Sequence, residues 1–97
     1  MALDSGIREE AITALIELAK TCELDRIILF GSRARGDYRR ASDIDLAVKG
    51  GDIVRFTVDA EEIPTLLKFD IINLDGAVQN ELRESIEREG ITIYEKV

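Results

Sequence analysis

The stretch RIILF, residues 26 to 30, is an apolar run that stops directly on Gly31-Ser32. A run this short and continuous reads as a buried strand. DIDLAV (43–48) alternates in polarity and reads as a second strand, closed by Gly50-Gly51. KFDIIN (68–73) reads as a third. Helix-length segments lie around these strands. Residues 5–21 place Ile7, Ala11, Ala14, Leu15 and Leu18 at helical spacing, with Ser5 as a fair N-cap. SRARG opens a short helix, and DYRRAS reads as loop. The segment 52–67 fits either period: Ile53, Phe56, Thr57 and Ala60 suit a helix, while Val54, Phe56, Val58 and Ala60 suit a strand. Its length, and its place between two buried strands, favour a helix to about Glu62 with a break near Pro64. Asp75 is the expected N-cap of a last helix over 76–89, with Val78, Leu82 and Ile86 in one stripe and Gly90 as its stop. ITIYE (91–95) is expected to add a fourth, edge strand. The expectation is one α/β (α+β) domain over 1–97, with a small mixed sheet of three to four strands flanked by helices.

With 97 residues, 45% of them hydrophobic, the chain can bury one core and little more. No second substrate-binding domain fits, so a partner is expected to supply one. The net charge of −7 argues against an extended nucleic-acid footprint. Cys22 is the only cysteine, which excludes an internal disulfide and makes a reducing cytoplasm the expected location. The opening MALDSGIREE turns acidic too early for a signal peptide, and no apolar run approaches a membrane span. There is no histidine. Histidine bases, histidine metal ligands and a Ser-His-Asp triad are therefore excluded together. Chemistry on this chain must run on carboxylates, hydroxyls and metal.

The acids are arranged for that. Asp43 and Asp45 lie one residue apart on a strand, so both carboxylates share one face while Ile44, Leu46 and Val48 take the other. Two acids so close repel, and either a proton or a cation relieves them. Mg²⁺ favours oxygen ligands and often combines one or two carboxylates with substrate phosphates. A bare Asp-x-Asp, a short and common pattern, reads first as two solvated acids at a strand end. Its surroundings add weight to a metal–phosphate site. Gly31-Ser32 lets backbone and a hydroxyl approach a phosphate closely, although the pair also serves as an ordinary strand-to-helix turn. Arg33, Arg35, Arg39 and Arg40 fall within eight residues that hold one acid, Asp37. Arginine binds phosphate in fork geometry. For Arg39 and Arg40 a solvated loop is the preferred reading. Asp70 interrupts an apolar strand, and beside DIDLAV it would complete a three-carboxylate cluster. GSRARGD starts like a phosphate loop, but Asp37 stands where that loop needs lysine.

Gly31-Ser32, ten residues, then Asp43-x-Asp45 resembles the signature of the DNA polymerase beta-like nucleotidyltransferases. LFGSRARG and SDIDLAV resemble its minimal nucleotidyltransferase (MNT) group, including the MntA-like antitoxins of HEPN/MNT pairs. The resemblance spans nearly the whole chain. It implies the polymerase beta-like fold, with Asp43 and Asp45 binding two Mg²⁺ ions that hold a triphosphate. It implies that Asp70 binds one metal and helps activate the attacking hydroxyl. Gly31 and Ser32 would hold the phosphates of ATP, with Arg33 and Arg35 assisting. The implied reaction moves an NMP, AMP from ATP, to a hydroxyl. The implied partner is a helical HEPN protein in a hetero-oligomer. It is either a toxin modified on a tyrosine or the substrate-binding half of a transferase for small hydroxyl compounds. A module acting by contact alone is the third expectation.

Overall fold

The computed structural model describes residues 5–97. The domain bounds expected from the sequence, and its acidic opening stretch, begin at residues 1–4, outside the described residues. Eight elements follow one another: α1 (Glu9–Thr21), β1 (Arg26–Phe30), α2 (Ser32–Arg35), β2 (Ile44–Lys49), α3 (Ile53–Ala60), β3 (Phe69–Asn73), α4 (Asn80–Glu89) and β4 (Ile91–Glu95). The strands form one mixed sheet in the order β3-β2-β1-β4. β1 runs antiparallel to both β2 and β4, while β2 and β3 are parallel. No helix among the described residues is long and apolar enough to cross a membrane.

Parallel neighbours need a crossover, and that need decides the ambiguous segment 52–67. α3 is that crossover. Ile53, Phe56 and Ala60 are buried at helical spacing, while Val54 and Val58 are exposed. The Asp52 side chain accepts from the Arg55 backbone N–H at 3.1 Å and caps the first turn. Thr57, a poor helix former, bonds its hydroxyl to the Ile53 carbonyl at 2.8 Å.

The pleat then sorts the side chains. Ile27, Leu29, Ile44, Leu46 and Val48 point to one face and pack with Leu15, Ala19, Phe56 and Ala60 of α1 and α3. The opposite face is thinner: Ile28, Ala47 and Ile86 form its buried centre, with Phe30, Ile72 and Leu82 against them. Asp45 and Asp70 alternate onto that second face, beyond the part that α4 covers.

Two helix starts differ from expectation. α1 begins at Glu9 with Arg8 at the N-cap, not at Ser5. Ser5 is buried instead, its hydroxyl accepting from the Ile7 N–H at 3.3 Å. α4 begins at Asn80, after Gln79, so residues 76–79 are not helical. Asp75 has another use: its carboxylate accepts from the Gly50 N–H at 2.8 Å and ties the β2 exit to the β3 exit. Both sites show the same competition. A short polar side chain is as good at closing a loop as at starting a helix.

Candidate active site

The site forms where β1 ends and β2 and β3 begin. Phe30, the last residue of β1, lies opposite Asp45. Gly31 therefore sits directly against the Asp45 side chain, and a Cβ there would run into Asp45 Oδ2. Gly31 also has φ 74° and ψ −156°, a region natural only to glycine. Two constraints, space and backbone angle, thus make any side chain at this position strained. The chain then turns at once into α2, whose first bonds run from the Ala34 and Arg35 N–H groups to the Gly31 carbonyl, each 3.1 Å. The amides of Ser32 and Arg33 precede that ladder.

Asp45 and Asp70 are direct Cα partners across the parallel β2–β3 pair. Asp43 stands just before β2, exposed, and Asp70 is exposed as well. Asp45 is half-buried between them. Its carboxyl is held above the usual range, first by burial, then by the negative charges of Asp70 and Asp43, against a smaller opposing pull from Arg35. Asp43 and Asp70 thus both lie within electrostatic reach of Asp45. Among the described residues no three carboxylates stand close enough to hold an ion as they are. The pair Asp45–Asp70 is assembled by the sheet, and Asp43 is adjacent rather than locked into a closed cluster. The donor set nonetheless fits Mg²⁺: all oxygen, all acidic, and unfavourable to itself without a cation.

The arginines divide. Arg35 is exposed at the end of α2, its guanidinium donating to Glu89 Oε2 at 3.0 Å and Asp37 Oδ2 at 3.3 Å. It faces the acids closely enough to act on Asp45. Arg39 and Arg40 are exposed on the loop. Arg33, expected beside the phosphates, turns inward. Only 2% exposed, it spends its guanidinium on backbone carbonyls of Ser5 and Ser42 and of the loop between α2 and β2. Glu89, which steadies Arg35 from the far end of α4, was not foreseen. Fifty-four residues of separation leave no local pattern to reveal such a pair, and only the topology brings them together.

Residues 13–97 match the family described as Polymerase beta, Nucleotidyltransferase. The chain belongs to this family and is a nucleotidyltransferase. It is 34% identical over 76 residues to a Methanocaldococcus jannaschii protein named "Putative protein adenylyltransferase MJ0604", a match covering 75% of this chain and 74% of that one. A solved "putative minimal nucleotidyltransferase" superposes with a TM-score of 0.65 at 30% identity, covering 82% of this chain and 86% of the other. A toxin–antitoxin crystal structure, MntA-HpeT, superposes with a TM-score of 0.67 at 25% identity, covering 87% and 72%. The fold expected from the sequence is the fold of these minimal nucleotidyltransferases.

Proposed function

We propose that the protein is a Mg²⁺-dependent adenylyltransferase that moves AMP from ATP to a hydroxyl of a helical HEPN-type partner, a tyrosine of a toxin, and so acts as an antitoxin. The observation that carries this reading is the register of Asp45 against Asp70, with Asp43 on the same face and Gly31-Ser32 at its border. The name of the archaeal relative supports adenylyl transfer, and the toxin–antitoxin assembly of the structural neighbour supports a protein partner.

The chain's own residues divide the work. Asp43 and Asp45 would hold both divalent ions, with Asp70 sharing one. When bound, such ions neutralise triphosphate charge and steady the attacking and leaving oxygens of an in-line displacement. Gly31 lets the main chain approach the triphosphate, and the Ser32 hydroxyl and amide donate to its oxygens. Arg35 adds positive charge at the same border. The acceptor hydroxyl attacks the α-phosphorus. The bond from that phosphorus to the bridging oxygen breaks, and pyrophosphate leaves with the electron pair. Asp70 would accept the hydroxyl proton. Positioning, charge neutralisation and a carboxylate base make up the catalysis, so the lack of histidine is no obstacle.

The test is incubation with α-labelled ATP, Mg²⁺ and the product of the neighbouring gene. Label on that protein, absent when Asp43 and Asp45 are both changed to asparagine, is the expected result. Label on a small hydroxyl compound would instead assign a two-component transferase. Neutralisation of a toxin by the double variant without ATP would assign inhibition by contact.

A further inference from the structure

We propose that Arg33 is a positioning residue, an internal clamp that fixes the backbone leading into Asp43, and not a ligand of the triphosphate. The proposal rests on the nucleotidyl-transfer reading for what Asp43 does, but not for what Arg33 touches. A guanidinium 2% exposed is costly unless its donors are used. Here they are. Nε and Nη2 both donate to the Ser42 carbonyl, at 3.1 and 2.9 Å, and Nη1 donates to the Ser5 carbonyl at 2.8 Å. Nη2 also reaches the Arg39 and Arg40 carbonyls at 3.4 and 3.3 Å. The guanidinium carbon lies 4.7 Å from the centre of the Tyr38 ring, which stacks on it.

The location of these bonds gives them their consequence. Residues 39–42 form a turn closed by the Ser42 N–H on the Arg39 carbonyl, 3.0 Å, and the Arg39 N–H on the Ser42 hydroxyl, 2.8 Å. Arg33 grips both ends of that turn. The Ser42 carbonyl belongs to the planar peptide that carries the Asp43 nitrogen, so holding one orients the other. On the far side, the Ile44 N–H donates to the Lys68 carbonyl at 2.7 Å. The exposed carboxylate of Asp43 therefore stands on a backbone pinned before and after it. The same guanidinium fastens residue 5 to this loop. Gly6 lies so close that a Cβ there would come within 2.7 Å of Arg33 Nη1 and 2.5 Å of Tyr38 Cε2. Lysine, with a single ammonium, cannot span carbonyls on both sides of the clamp.

The experiment compares the full chain with Arg33→Lys, and with Gly6→Ala, which crowds the clamp without deleting it. Amide hydrogen exchange and binding of Mn²⁺, used as a paramagnetic stand-in for Mg²⁺, are measured together with ATP affinity. The expected result is at least tenfold faster exchange at the Ser42 and Arg39 amides in either variant, with the α1 amides unchanged. Mn²⁺ affinity should fall severalfold in step. Unchanged exchange at the turn would overturn the proposal. So would loss of ATP affinity with Mn²⁺ binding and turn protection intact, since Arg33 would then be a phosphate ligand. Failure of the unaltered protein to bind Mn²⁺ would count against the nucleotidyl-transfer reading alone, and the exchange at the turn would still decide the role of Arg33.

Discussion

Asp45 and Asp70 face each other across the parallel pairing of β2 with β3, one acid from the start of each strand. Twenty-five residues of chain separate them, and α3 carries the crossover that makes them neighbours. Their adjacency is a property of topology, and it sets the electrostatics of the site.

The first consequence concerns pH. Burial and two neighbouring acids raise the Asp45 carboxyl above its ordinary value. The folded state thus holds a proton more tightly than the unfolded chain, and in the metal-free protein stability falls as pH rises through the window between the two values. Asp45→Asn removes this term. Metal-free, the variant should melt higher than the parent at pH 7, and the difference should shrink toward zero as pH drops below the ordinary carboxylate value. Paired melting curves from pH 3 to 8 check the sign.

Activity should move the other way. With Asp43 and Asp45 both asparagine, transfer of labelled AMP should fall by about a thousandfold or more, on the scale of losing preorganised charge stabilisation at a reacting phosphate. A circular dichroism spectrum like the parent's would place the loss in the site and not in the fold.

Nucleotide binding should stabilise the fold through mass action. At about 100 times Kd, Mg²⁺ with a non-hydrolysable ATP analogue should add about 2.7 kcal/mol. For a domain this size that raises Tm by on the order of 10 °C. The analogue without metal should give little of this, and the asparagine double variant should give none.

Gly31→Ala tests the border of the site. The new methyl meets Asp45 Oδ2 on a backbone at φ 74°. A cost of about 1–3 kcal/mol is expected from the strained conformation, together with loss of transfer. Urea titration and the labelling assay measure the two effects separately.

Arg35→Ala should behave unlike any change at Arg33. Its ion pairs with Glu89 and Asp37 are solvent-exposed, and exposed pairs contribute little to stability. The melting temperature should barely change, while the KM for ATP rises severalfold. Steady-state kinetics at varied ATP decide this.

The strands were legible from short apolar or alternating runs: RIILF was read to the residue, while β2 and β3 each begin one residue later than expected and β2 ends one residue later. The pairing of Asp45 with Asp70 was legible once KFDIIN was set beside DIDLAV. The segment 52–67 was less so, because Phe56 and Ala60 satisfy both periods. The connection between parallel strands decided for the helix. Ser5 and Asp75 misled for one reason: their side chains close loops rather than cap helices. Arg33 misled most. An arginine beside a phosphate motif looks like a ligand in one dimension, and only packing reveals that its donors are turned toward Ser5 and Ser42.

The alternation along β2 and β3 has a consequence for the history of such chains. Ile44, Leu46, Val48 and Ile71 anchor the protein, while Asp43, Asp45 and Asp70 sit between them on the other side of the pleat. Stability and chemistry are written in alternate letters of the same two words. Substitutions can therefore erase the reaction while leaving the core face intact, and a lineage can retire the enzyme yet keep its shape.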